Sequence, residues 1–150
     1  YLNSWYNRFV LDNNRKHFRE SFSSARRILD YYGQNSRLDR LSRLTETDII
    51  EIELWRWRYT NEVTYERLKS SDRFMVVTYA DVDKDSVAVA RKLYDFVGLR
   101  NDRAAMEQVA VMQNTLFADK KPPRIDQSFV NRLIPDILVD SPLNGVLGIE

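Results

Sequence analysis

The chain has 150 residues, of which 43% are hydrophobic and 12% aromatic, enough to build the core of one ordinary domain. Its 23 basic and 22 acidic residues nearly cancel, and the absence of cysteine excludes a disulfide framework, thiolate catalysis and thiolate-ligated metal. A single histidine is too few for a self-contained histidine metal site, and no run is long and apolar enough to span a bilayer.

Charge is unevenly spread. Before Thr45 the bases Arg8, Arg15, Lys16, Arg19, Arg26, Arg27, Arg37, Arg40 and Arg43 outnumber the acids, whereas the stretch from Glu46 to Glu66 is acidic. A basic first third can face a phosphate-bearing ligand or a polyanion, because clustered positive charge concentrates anions, or it can simply be a solvated helix surface.

In chain order, Tyr1 to Leu11 reads as a helical piece with Leu2, Trp5, Tyr6, Phe9 and Val10 as its apolar set, broken by Asp12, Asn13 and Asn14. A second helix is predicted from about Phe18 to Tyr32, with Phe22, Ala25, Ile28, Leu29 and Tyr32 on one face and Gly33 as its stop. Residues 34–43 are polar and less regular. Thr45 followed by Asp48 resembles a capping arrangement, after which a long helix carries Ile49, Ile52, Leu54, Trp57, Val63, Tyr65 and Leu68. Trp55 and Trp57 fall on different faces of it, so both are buried only if the helix is covered on more than one side.

Phe74 to Tyr79 is an unbroken apolar, β-branched and aromatic run, too short for a buried helix, and reads as a strand covered on both faces. Residues 80–84 form a polar turn, and Asp85 caps a helix that begins at Ser86, keeps Val89, Leu93, Phe96 and Val97 on one face and stops at Gly98. One strand cannot make a sheet. The chain is therefore expected to be a single partial domain of a larger protein, with apolar side chains around residues 74–79 exposed where neighbouring strands would lie.

Asn101 or Asp102 caps a further helix to about Phe117, and Lys120-Lys121-Pro122-Pro123-Arg124 is a basic loop, since proline lacks the N–H that a helix needs. Asp126 starts a short helix toward Ile134, which Pro135 interrupts or restarts. No self-contained chemistry stands out: there is no glycine-rich phosphate loop, no nucleophile elbow and no zinc-protease motif. Asp81, Asp83 and Asp85 alternate like metal ligands, but the glycine and terminal glutamate of a calcium loop are missing, and a turn-and-cap role suits them better. His17, beside Lys16 and Arg19, has no orienting carboxylate in view.

The segment RFMVVTYADVDKDSVAVARKLYDFVGL, residues 73–99, resembles the part of PAPS-dependent sulfotransferases that runs as hydrophobic strand, Tyr-Glu-Asp-Leu, turn, helix and Phe-Leu-Gly-Leu. Here the first tetrapeptide is Tyr79-Ala80-Asp81-Val82 and the last is Phe96-Val97-Gly98-Leu99, so alanine stands where the family has glutamate. Residues 55–65 and Leu2-Asn3-Ser4-Trp5-Tyr6 are similar to two upstream blocks of the same family. The resemblance implies an α/β, three-layer P-loop-like fold, of which these residues would be a mostly helical C-terminal part with one main strand at about 73–79. It implies that Ser4 bonds the 3′-phosphate of the nucleotide, that Tyr79 contacts the adenine, and that Lys120, Lys121 and Arg124 stand in for the family's basic loop.

On the same resemblance the co-substrate is 3′-phosphoadenosine 5′-phosphosulfate (PAPS), no metal is needed, and the acceptor is a hydroxyl or an amine. The phosphosulfate loop and general base would precede Tyr1, leaving no catalytic residue within the chain and no activity in it alone. Two other readings come from the residues themselves: a helical interaction module, and a polyanion or nucleic-acid module stacking bases on Trp5, Tyr6 and Phe9. Neutral overall charge disfavours the last.

Overall fold

A computed structural model describes residues 15–100, 102–118 and 125–148. All regular structure among them is helical: α1 (Arg15–Tyr31), a 3₁₀ turn (Asn35–Arg37), α2 (Leu38–Leu41), α3 (Glu46–Leu68), α4 (Tyr79–Phe96), α5 (Arg103–Ala118), α6 (Gln127–Leu138) and α7 (Asn144–Leu147). The expected α/β architecture is therefore overturned, because the described residues contain neither strand nor sheet. They divide into two compact units, one running to Arg67 and resuming with Ile125, the other beginning at Leu68.

The first unit is built around α3. Thr45 and Asp48 form the capping arrangement that starts this helix: the Asp48 backbone N–H donates to Thr45 Oγ1 at 3.3 Å and the Thr45 backbone N–H to Asp48 Oδ2 at 3.0 Å. All eight residues from Asp48 to Trp55 are buried, so the helix is covered on every side there rather than along one stripe. Against it lie Ala25, Ile28 and Leu29 of α1, Leu41 of α2 and Val130 and Ile137 of α6. Trp55 is buried and Trp57 half-buried, which is the covering that the two tryptophans call for.

Local backbone chemistry sets the helix ends. Gly33 (φ +66°) and Gly98 (φ +71°) adopt the left-handed conformation that stops α1 and α4. The next residue in each case returns a hydrogen bond to the helix, Gln34 N–H to Leu29 O at 2.7 Å and Leu99 N–H to Tyr94 O at 2.8 Å. Asp126 Oδ1 caps α6 by accepting from Ser128 N–H at 2.9 Å, as the sequence suggests. Pro135 does not interrupt α6, which runs on to Leu138. Proline costs it one backbone bond, but buried Ile137 and Leu138 anchor the last turn, and Arg58 and Asn144 donate to their free carbonyls.

The second unit contains α4 and α5, which pack on each other. Residues 74–78 belong to no helix and no strand, and a strand cannot be assigned to them because no second strand among the described residues pairs with their backbone. Thr78 is nonetheless extended, at φ −96° and ψ 154°. It forms a capping box with Asp81, so α4 begins at Tyr79, seven residues before the predicted start at Ser86. The predicted cap also exists: Asp85 leaves helical geometry and its Oδ1 accepts from Ala88 N–H at 2.9 Å, so two caps follow one another within α4.

Asp126 titrates below the usual carboxylate range, chiefly because the Ser128 hydroxyl donates to it, with Ser128 and Phe129 N–H adding to the effect. A carboxyl whose folded value lies below its unfolded value of about 3.9 stabilises the protein above that pH and loses its contribution as pH falls through the folded value. Asp126→Asn keeps a capping oxygen but cannot titrate. Thermal unfolding between about pH 5 and pH 2 should therefore show a shallower acid loss in Asp126→Asn than in the parent chain.

Candidate functional site

Ionisable side chains on α3 are carried into the first unit's core. Asp48, Glu51, Glu53 and Arg58 are all buried, and a charge taken out of water survives only if it is paired. Glu51, at 1% exposure, is held from both sides: Arg37 NH1 lies 3.1 Å from Oε1 and Arg40 NH2 2.6 Å from Oε2. Arg40 NH1 also reaches Asp48 Oδ1 at 3.3 Å, and Arg56 meets Glu53 at 2.6 Å. Two of the first third's bases, Arg37 and Arg40, are thus committed to carboxylates of the same chain and not to an external anion.

Arg58 ties the other end of this lattice. Its Nε donates to Glu62 Oε2 at 2.8 Å, and its guanidinium lies 4.2 Å from the centre of the Tyr32 ring and 5.6 Å from that of Trp55. Ser141 Oγ donates to the same Glu62 oxygen at 2.9 Å. The Tyr32 hydroxyl and Trp55 Nε1 are buried without a hydrogen-bond partner. Burial, and after it the Glu62 carboxylate, pushes the Tyr32 phenol above its ordinary range, so it stays protonated. The charged groups of this lattice are paired with one another. Their partners among the described residues come from the same unit, and the pairing holds α1, α3 and α6 together.

In the second unit an open cleft of about 450 Å³ is lined by Val87, Arg91, Arg103, Met106, Glu107 and Ala110. Arg103 pairs with Glu107 at 2.9 Å across its exposed rim. The unit also leaves much apolar surface uncovered. Val89 and Met106 are buried, but Leu93, Phe96, Val97, Leu99 and Val111 are exposed, so the apolar face predicted for α4 is only partly used. Val76 and Val77 are 41% and 39% exposed, whereas Phe74 and Met75 are half-buried, so the apolar run expected to be uncovered beside a sheet is uncovered only in part and is no strand.

Of the residues that the sequence offers as a nucleotide site, the structure describes Tyr79. It is the first residue of α4 and 81% exposed. Ser4, Lys120, Lys121 and Arg124 lie outside the described residues, as do Trp5, Tyr6 and Phe9, and His17 lies in α1 with its side chain outside the described set. Asp81 and Asp85 spend an oxygen each on caps, the turn-and-cap role expected of them, and the Asp81 carboxyl is held below its usual range mainly by the Thr78 hydroxyl. No group of acids and histidines among the described residues is arranged to hold a metal ion.

The buried lattice is what sequence reasoning missed. Its trace was legible as spacing: Arg37, Arg40 and Arg43 recur every third residue, and Asp48, Glu51 and Glu53 interleave with Ile49, Ile50, Ile52 and Leu54. Compared with family models, with curated proteins and with solved structures, the chain has no match.

Replacing both Arg37 and Arg40 by alanine leaves the Glu51 carboxylate buried and alone, at a cost of about 3–5 kcal/mol. Glu51→Met instead leaves two arginines that can reach water, and its cost should be clearly smaller. Urea unfolding followed by far-UV circular dichroism measures both, and equal losses would refute the buried-carboxylate account.

Proposed function

We propose that the chain is a helical interaction module, in which the first unit is a closed scaffold and the second presents the binding surface. The observation that carries this reading is the contrast in apolar burial. The first unit seals a continuous core, whereas the second leaves Leu93, Phe96, Val97, Leu99 and Val111 in water. Exposed apolar area on this scale is costly in solution and is commonly covered by a protein partner. A photo-crosslinking amino acid placed at Val97 of the full-length protein should capture one discrete partner in cells, while the same group at the exposed Arg26 of α1 should not. Indistinguishable capture from the two positions would dismiss the module.

A second reading follows from the resemblance to sulfotransferases, for which Tyr79 at the start of α4 is accessible to a ligand. The full-length protein would then transfer a sulfuryl group from PAPS to a hydroxyl or amine. The new sulfur–oxygen or sulfur–nitrogen bond forms as the bond to the donor's phosphate oxygen breaks, 3′-phosphoadenosine 5′-phosphate leaves, and the acceptor's proton passes to a base. The resemblance assigns nucleotide contacts to Ser4, Tyr79, Lys120, Lys121 and Arg124, and in such a transfer positive charge and fixed donors stabilise the leaving phosphate. Titration of the full-length protein with 3′-phosphoadenosine 5′-phosphate should give saturable binding weakened by Tyr79→Ala. Absence of binding at millimolar ligand removes this reading.

A further inference from the structure

The cleft of the second unit takes its walls from both of the helices that pack there, α4 and α5. Val87 and Arg91 stand four residues apart and so share one face of α4, beyond the break at Asp85. Arg103, Glu107 and Ala110 share one face of α5 by the same periodicity, and Val111, four residues after Glu107, continues that face at 65% exposure. Met106 is itself buried, so packing fixes it where it faces the cleft, and with Val87 and Ala110 it makes an apolar floor.

Charge along this cleft is unbalanced. Two guanidinium groups line it, Arg91 and Arg103, against the single carboxylate of Glu107. That carboxylate is taken: Glu107 Oε1 accepts from Arg103 Nε at 2.9 Å. Arg91 is exposed and makes no hydrogen bond or ion pair among the described residues. The cleft therefore sets one positive charge in excess beside an apolar floor, and its complement is an apolar group with an anion next to it.

We propose that the cleft receives an apolar side chain of a protein partner together with a neighbouring carboxylate, which pairs with Arg91. This rests on the reading of the second unit as a binding surface and names the anchor within it. A cation is repelled by the excess charge. A nucleic acid draws its affinity from many cations and would meet Glu107 beside Arg91. A small acid held in the cleft alone would leave Val111 in water at its edge, whereas a polypeptide covers the floor, Arg91 and Val111 together. An apolar anchor seated in a pocket, with a charge pair at its rim, is how a few residues come to carry most of an interface.

The test places a photo-crosslinking group at Val111 of the full-length protein and maps the joined peptide by mass spectrometry. The expected result is a peptide of a different protein with an aspartate or glutamate within about four residues of a large apolar side chain. Arg91→Glu, which sets like charge against that acid, should lower capture about tenfold or more, while Arg91→Lys, which keeps the charge, should not. Exchanging the partner's acid for lysine should restore capture by Arg91→Glu. Because Arg91 is exposed, both variants should keep the helical circular dichroism of the parent chain. Capture of a second copy of this chain, a mapped peptide without an acid, indifference to Arg91→Glu, or failure of the charge exchange overturns the anchor. If Val97 still captures a partner in that case, the interaction module stands without it, and if neither position captures one, both fall.

Discussion

The arrangement of the first unit depends on one buried carboxylate with two arginines closed over it. Because α3 is enclosed on all sides from Asp48 to Trp55, its acids cannot turn to water, and each needs a partner supplied from within the fold. For Glu51 the partners come from the short 3₁₀ turn and α2, elements too brief to hold a position by their own backbone bonds. The ion pairs and the buried Leu41 therefore fix where that connection lies on α3. A pair of this kind adds little net stability over an apolar core, since desolvation offsets the attraction. What it does is penalise rival packings, each of which would strand a charge.

The far end of α3 follows the same logic with different groups. Arg58 is spread over two aromatic faces, one carboxylate and the carbonyl of Ile137, so a single cation joins α1, α3 and the close of α6. Aromatic contacts reinforce it, with the Tyr32 and Trp55 rings 5.4 Å apart and Tyr31 edge-on to Tyr59 at 5.3 Å. Among the described residues the second unit has no equivalent. Two amphipathic helices meeting along one face cannot bury both of their apolar stripes, and small units are poor at removing surface from water. Its exposed side chains are the direct consequence.

Features set by a few neighbouring residues were readable from the sequence. The Thr45–Asp48 start of α3, the Asp126 cap and the stops at Gly33 and Gly98 each depend on one backbone bond or one left-handed residue within a turn, and each is where the pattern places it. That residues 74–79 form no strand was not readable in this way. β-propensity reports fitness for a pleated, half-covered surface, and whether a neighbour exists to complete that surface is not a property of the segment. Glu51 and Arg37 escaped for the same reason, because a charged residue announces its burial only through the partner that neutralises it. Among the site residues, Tyr79 was readable as an aromatic at the close of an apolar run, but its exposure depends on what packs around it.

The doubled start of α4 joins these strands of argument. Sequence reading places a cap at Asp85, and the structure keeps that cap while adding an earlier one at Thr78, so the first turn is bounded by its own capping box and by a non-helical residue behind it. Such a turn is held by local bonds and carries no buried apolar side chain before Ser86. The main body of the helix, anchored by Val89, does not depend on it. The apolar stretch at residues 74–78 is consequently followed by a short, separately capped turn ahead of the packed part of α4.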